Sequence, residues 1–136
     1  MENNFNKKVV KIIVDNVLIN PNNPSLSNGN PRSSGTGFFI DNKGTILTCS
    51  HVIENGQNIT IEIPGLNKVF KADLLGICPE LDIGLLKIDF KSKDYFKFGD
   101  SKKIKLGMDI YVLGYPGTHS TETNLKINKG IISGTL

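Results

Sequence analysis

An all-β fold, a sandwich or barrel of short antiparallel strands, is what this sequence predicts, and three observations predict it. The apolar runs are short and rich in β-branched residues. Turn formers separate them at close spacing. No long window keeps a helical period of apolar residues, although strand alternation is clear in several places.

The elements follow in order. Residues 9–18 form the first apolar run, interrupted by Asp15 and Asn16. Residues 20–37 are dominated by Asn, Pro, Ser and Gly and predict a loop. Two short runs, 37–41 and 45–48, flank Asn42-Lys43-Gly44. That spacing predicts a hairpin, because Gly44 accepts the positive φ that a tight turn demands. Ile59, Ile61 and Ile63 alternate with Thr60 and Glu62, the period of a half-buried strand, which Pro64-Gly65 ends. Further strands are expected over 69–77, 83–88, 110–113 and 125–132. Residues 91–105 are charged, without steady alternation, and read as a linker. Together residues 9–88 are expected to close a six-stranded barrel, with Val52, Ile59, Ile61, Leu85 and Ile88 in its core.

Composition narrows the function classes. With 38% hydrophobic and 21% charged residues, the chain of 136 residues has the balance of a globular protein rather than a disordered tail. A net charge of +3, with lysines scattered among acids, predicts no nucleic-acid partner. No run is long and apolar enough for a transmembrane helix, so no membrane partner is expected. The first residues show neither the apolar stretch nor the cleavage site of a signal peptide. Two cysteines, Cys49 and Cys78, are too few for a disulfide scaffold. On these grounds an intracellular compartment is expected.

His51 and His119 are the two histidines, and either offers an imidazole base. His51 stands where a strand gives way to polar residues, the position from which scaffolds hand side chains to a cleft. Asp82 directly precedes the apolar run 83–88. A carboxylate there is costly to bury unless something pairs with it. A neutral imidazole donating Nδ1–H would satisfy it and leave Nε2 free to take a proton.

A resemblance joins these residues. Gly35-Thr36-Gly37-Phe38-Phe39-Ile40, with Gly44-Thr45-Ile46-Leu47-Thr48-Cys49-Ser50-His51-Val52-Ile53, resembles the catalytic-histidine block of the HtrA/Deg-type, trypsin-like serine proteases. Leu81-Asp82-Ile83-Gly84-Leu85-Leu86-Lys87-Ile88 is similar to their catalytic-aspartate block. Phe98-Gly99-Asp100-Ser101, Leu106-Gly107, Val112-Leu113-Gly114-Tyr115-Pro116-Gly117 and Lys129-Gly130-Ile131-Ile132-Ser133 are similar to the entry into the second barrel of that family. The blocks run in family order over about residues 33–134.

The resemblance implies a chymotrypsin-like antiparallel β-barrel fold, with the first barrel complete and the second only begun. It divides the chain into a barrel over residues 1–90, an interbarrel linker over 91–108, and the first strands of a second barrel over 109–136. It implies serine endopeptidase activity on a protein or peptide substrate, with His51 as general base and Asp82 orienting it, and no cofactor or metal. It further implies a nucleophilic serine in a Gly-Asn-Ser-Gly-Gly block that no residue here matches. Ser33, Ser34, Ser101 and Ser133 lack the glycine turn that builds an oxyanion hole. The chain alone is therefore expected to be inactive unless a complementing C-terminal half supplies the serine. Three departures from the family pattern stand out: Cys49 where Asn is common, Ser50 where Ala is frequent, and Gly84 where Ala is usual.

Three rivals belong to other classes. Cys49, His51, Cys78 and His119 add up to the four ligands of a tetrahedral zinc site, although their spacing matches no common zinc module. Phe90, Tyr95, Phe96 and Phe98 interleave with lysines, as in single-strand binders, but Asp89, Asp94 and Asp100 dilute the charge. A non-catalytic, protease-like interaction module is the third.

Overall fold

The computed structural model describes residues 4–15, 32–54, 58–115 and 124–135. After one helical turn, α1 (Phe5–Lys8), the chain runs through β1 (Val9–Asp15), β2 (Arg32–Phe39) and β3 (Thr45–Thr48). A second single turn, α2 (Ser50–Ile53), leads to β4 (Asn58–Ile63), β5 (Lys68–Lys71) and β6 (Asp73–Cys78). A 3₁₀ turn (Pro79–Leu81) precedes β7 (Ile83–Lys87), and β8 (Asp109–Gly114) and β9 (Lys126–Ile131) complete the strands among the described residues. The expected all-β architecture is what forms.

The seven strands β1–β7 make one antiparallel sheet in the order β5-β4-β1-β2-β3-β7-β6. Its two end strands are consecutive in the chain, separated by Ala72 alone. Ala72 is buried, and its N–H donates to the Ile59 carbonyl at 2.9 Å. β5 and β6 are thus two halves of one bent strand, the first laddered to β4 and the second to β7. Counted this way the sheet has six strands and curls round on itself, as the alternation predicts.

The core fills the inside of that curl. Val10, Ile12 and Val14 of β1 are fully buried, as are Phe39, Ile46, Ile61 and Leu86 from four other strands. The alternation in β4 holds: Ile59, Ile61 and Ile63 point inward, with Thr60 and Glu62 only half covered. Ile88 is buried and Val52 packs against the core. Leu85 is the exception. Gly84 and Leu86 face inward, which leaves Leu85 half-exposed on the other face. A strand face is set by its ladder, here Ile46 opposite Leu86, and a shift of one residue reverses it.

The hairpin at Gly44 forms, with φ at 85°. A side chain there would meet the Ile88 carbonyl oxygen at 2.3 Å, so the turn needs glycine twice over. Asp41 Oδ1 accepts from the Lys43 and Thr45 N–H groups at 2.8 and 3.2 Å.

Two segments differ from their expected roles. β2 begins at Arg32, well inside the stretch read as loop, because residues 32–38 pair one-for-one with β1. Ser33 and Ser34 are strand residues. Tertiary pairing there overrides a composition of low β-propensity. The start of the charged stretch is also tied down. Ser92 is 1% exposed and bridges the hairpin, its hydroxyl donating to the Asp41 carbonyl and accepting from Gly44 N–H. Phe90 stacks on Phe39, and Phe96 on Phe5, so these rings serve packing.

β8 and β9 pair as a separate two-stranded sheet. Tyr111, Val112, Ile127 and Ile131 on it are at least half exposed. Tyr115, just after β8, is buried against the barrel. Its N–H donates to Thr36 Oγ1 at 3.0 Å and its hydroxyl to the Val9 carbonyl at 3.3 Å.

Candidate active site

The ladder between β3 and β7 brings the predicted pair together. Thr48 lies opposite Gly84, so the residues just after β3 and just before β7 leave the sheet at one place. Beyond Thr48 the chain makes an extended step at Cys49 and then the turn α2, which carries His51. The turn is seated on glycine: a Cβ on Gly35 would come within 2.5 Å of Val52 Cγ1. Ile53, on the same turn, lies as close over Gly84.

On the opposite side, Asp82 ends the 3₁₀ turn in left-handed conformation, φ 54° and ψ 45°, its N–H bonded to the Pro79 carbonyl at 3.1 Å. A non-glycine residue there is uncommon, Asp tolerating it better than most, and such strain collects at functional positions.

Three donors converge on the Asp82 carboxylate. The backbone N–H of His51 reaches Oδ1 at 2.9 Å, and the Ser50 hydroxyl reaches the same oxygen at 3.0 Å. His51 Nδ1 lies 2.6 Å from Oδ2. The backbone bond from His51, followed by its ring and, more weakly, the Ser50 hydroxyl, holds the carboxyl below the usual aspartate range, against partial desolvation that raises it. An ionised carboxylate only accepts, so Nδ1 carries a proton toward it, and in the neutral ring Nε2 keeps its lone pair.

The sequence argument paired Asp82 on the ground of its burial. The structure pairs it without burying it: the His51 and Asp82 side chains are 68% and 46% exposed. A cavity of about 700 Å³, lined by Ile63, Leu66, Phe90, Lys91 and Leu125 among others, touches neither residue. The dyad sits on open surface, and the lysine-rimmed cavity is no part of it.

Ser50 is the residue that sequence reasoning missed. It is 2% exposed, and its hydroxyl donates to Asp82 Oδ1. The signal was its position beside the histidine. The rival four-ligand zinc set does not come together among the described residues. Cys49 groups with His51 and Asp82, whereas Cys78 donates to Glu80 Oε2 at 3.5 Å. His119 lies outside the described residues. Ser33, Ser34, Ser101 and Ser133 make no bond to the His51 ring among the described residues.

The trypsin-like peptidase domain family matches residues 35–136. The chain is 35% identical over 104 residues to a Pseudomonas putida protein named "Probable periplasmic serine endoprotease DegP-like", covering 75% of this chain and 20% of that one. A Bartonella henselae protein of the same name is 34% identical over 100 residues, 71% and 20% of the two chains. The chain thus spans about a fifth of the length of these relatives. A solved structure of an HtrA-type protease, an AlgW variant with a tripeptide, shares the fold with a TM-score of 0.74 at 23% identity, over 94% of this chain and 36% of that one.

These names correct one expectation. The relatives are periplasmic by name, which overturns the intracellular reading. That reading rested on the first residues and on two cysteines. In a chain spanning a fifth of its relatives, the first residues say nothing about export, and two free thiols mark no compartment.

The chain, then, belongs to the trypsin-like peptidase domain family, with DegP-like serine endoproteases among its relatives.

Proposed function

We propose that this chain supplies the histidine and aspartate of a serine endopeptidase acting on protein substrates in the periplasm. The observation that carries the reading is the 2.6 Å contact between His51 Nδ1 and Asp82 Oδ2, made by a carboxylate that the His51 N–H also holds. With Nδ1–H committed to Asp82, Nε2 takes the proton from a serine Oγ as that oxygen attacks a peptide carbonyl. The imidazolium is stabilised by the carboxylate and then gives its proton to the leaving amine.

The serine comes from outside these residues. Ser50 is occupied with Asp82 and Ser92 with the hairpin, and among the described residues the His51 ring is bonded to Asp82 and to no serine. The division into a barrel over 1–90, a connection over 91–108 and the start of a second barrel over 109–136 agrees with this. The exposed faces of β8 and β9 are where a complementing C-terminal half would pack.

A fluorophosphonate probe and a casein digest test the reading. The 136-residue chain should neither label nor cleave. Joined to a segment bearing the serine block it should do both, and Asp82→Asn should then lower turnover by about four orders of magnitude, since an amide favours the wrong tautomer. Equal turnover for parent and Asp82→Asn would overturn the role of the dyad. Labelling of the 136-residue chain that depends on His51 would show that its own serine is the nucleophile.

A further inference from the structure

Cys49, where the resemblance leads one to expect Asn, lies beside the dyad. One ligand atom each from Cys49, His51 and Asp82 falls within 4.8 Å of the others, and all three residues are exposed. We propose that this triangle binds a thiophilic divalent cation of the Zn²⁺ type and that the bound ion switches the dyad off. Binding rests on the triangle alone; its effect on catalysis rests on the function proposed above.

The chemistry of the donors fits. A thiolate, an imidazole nitrogen and a carboxylate oxygen are the three zinc-ligand types, and three protein ligands leave a fourth position for water. Tetrahedral bonds of about 2.0–2.3 Å set ligand atoms about 3.3–3.7 Å apart. Any separation in the triangle wider than that must therefore close, and the Nδ1–Oδ2 contact must open from 2.6 Å. Exposed side chains at a strand end and on a single turn can make both movements.

Nδ1 already faces the carboxylate and is the ring atom that takes the metal. Its proton moves to Nε2, by way of solvent, and the ring stays neutral. The Cys49 thiol loses its proton to solvent. One Zn²⁺ thus binds with net release of one proton. The result is an imidazole whose Nε2 carries hydrogen where the general base needs a lone pair. The ion occupies the place of the proton that orients the histidine.

The 136-residue chain can be titrated with Co²⁺, whose bond to thiolate gives an intense charge-transfer absorption. The expected result is a saturable band at one ion per chain, displaced by Zn²⁺ and removed by a chelator. Cys49→Ala should abolish the band and weaken Zn²⁺ binding by about 100-fold or more, the upper end of what losing even an outer-shell partner costs. Cys78→Ala should leave both unchanged, with circular dichroism confirming that each variant folds. A band that survives Cys49→Ala, one that disappears in Cys78→Ala, or no saturable band at all would overturn the proposal. The nitrogen NMR signals of the His51 ring separate the two readings. If Nδ1–H stays bonded to Asp82 and no metal binds, the metal site falls and the dyad stands.

Discussion

Ser50 changes what the Asp82 carboxylate depends on. A buried hydroxyl on the histidine-bearing turn joins the two donors that His51 supplies, so the aspartate is held from one four-residue element. Because the folded carboxyl ionises more readily than a free aspartate, its contribution is complete above the ordinary aspartate range. That contribution disappears as pH falls through the lower folded value. Ser50→Ala should move the Asp82 midpoint upward, read from its side-chain carbon signal in an acid titration. His51→Ala should move it further, since the ring outranks the hydroxyl. An unchanged midpoint in Ser50→Ala would reduce that hydroxyl to a bystander. The pairing of His51 with Asp82 was legible in the sequence because both residues lie in recognisable blocks. Ser50 was not, because nothing in one sequence distinguishes a serine that bonds a carboxylate from one that replaces alanine by drift.

At the scale of elements, α2 owes its placement to what is missing beneath it. Val52 occupies the space above Gly35, and three of its side-chain carbons stand where a Cβ on that glycine would project. Valine has no flexible tip with which to yield. Gly35→Ala should therefore cost about 1–3 kcal/mol, the usual range for overpacking, and displace the turn. Chemical denaturation would measure the loss, and weakening of the His51–Asp82 bond by NMR would report the displacement. Gly84→Ala should be milder, because it meets chiefly the far end of Ile53. The strands with clean alternation, β4 above all, were legible in the sequence. The first half of β2 was not, since Arg32, Ser33, Ser34, Gly35 and Thr36 become strand only by lying against β1. Leu85 was misassigned for a related reason. Two adjacent leucines carry no mark of which one faces in until a neighbouring strand fixes the register.

Over the whole molecule, Tyr115 fastens the segment after β8 to the barrel through Thr36 and Val9. Burial pushes its phenol up to about 12 from an ordinary value of 10.0. A raised folded value means that stability is complete below pH 10 and declines as pH rises toward 12, because the unfolded chain releases that proton first. Alkaline titration should show the Tyr115 phenol ionising well above its ordinary value, with loss of fold accompanying it, and Tyr115→Phe should remove that part of the alkaline loss. Ionisation of Tyr115 near the ordinary value of 10.0, with no change in fold, would show that the anchor is weak. The bend at Ala72 has a consequence of a different kind. A sheet whose first and last ribbons are one piece of chain behaves as a hoop, in which no strand can peel away from a rim. β4 and β7, twenty residues apart and separated by three strands across the sheet, are laced to the two arms of one bent strand. Their amides should exchange with solvent at a common rate, in one opening event, and Ala72→Pro, which deletes the N–H bonded to Ile59, should release both strands at once.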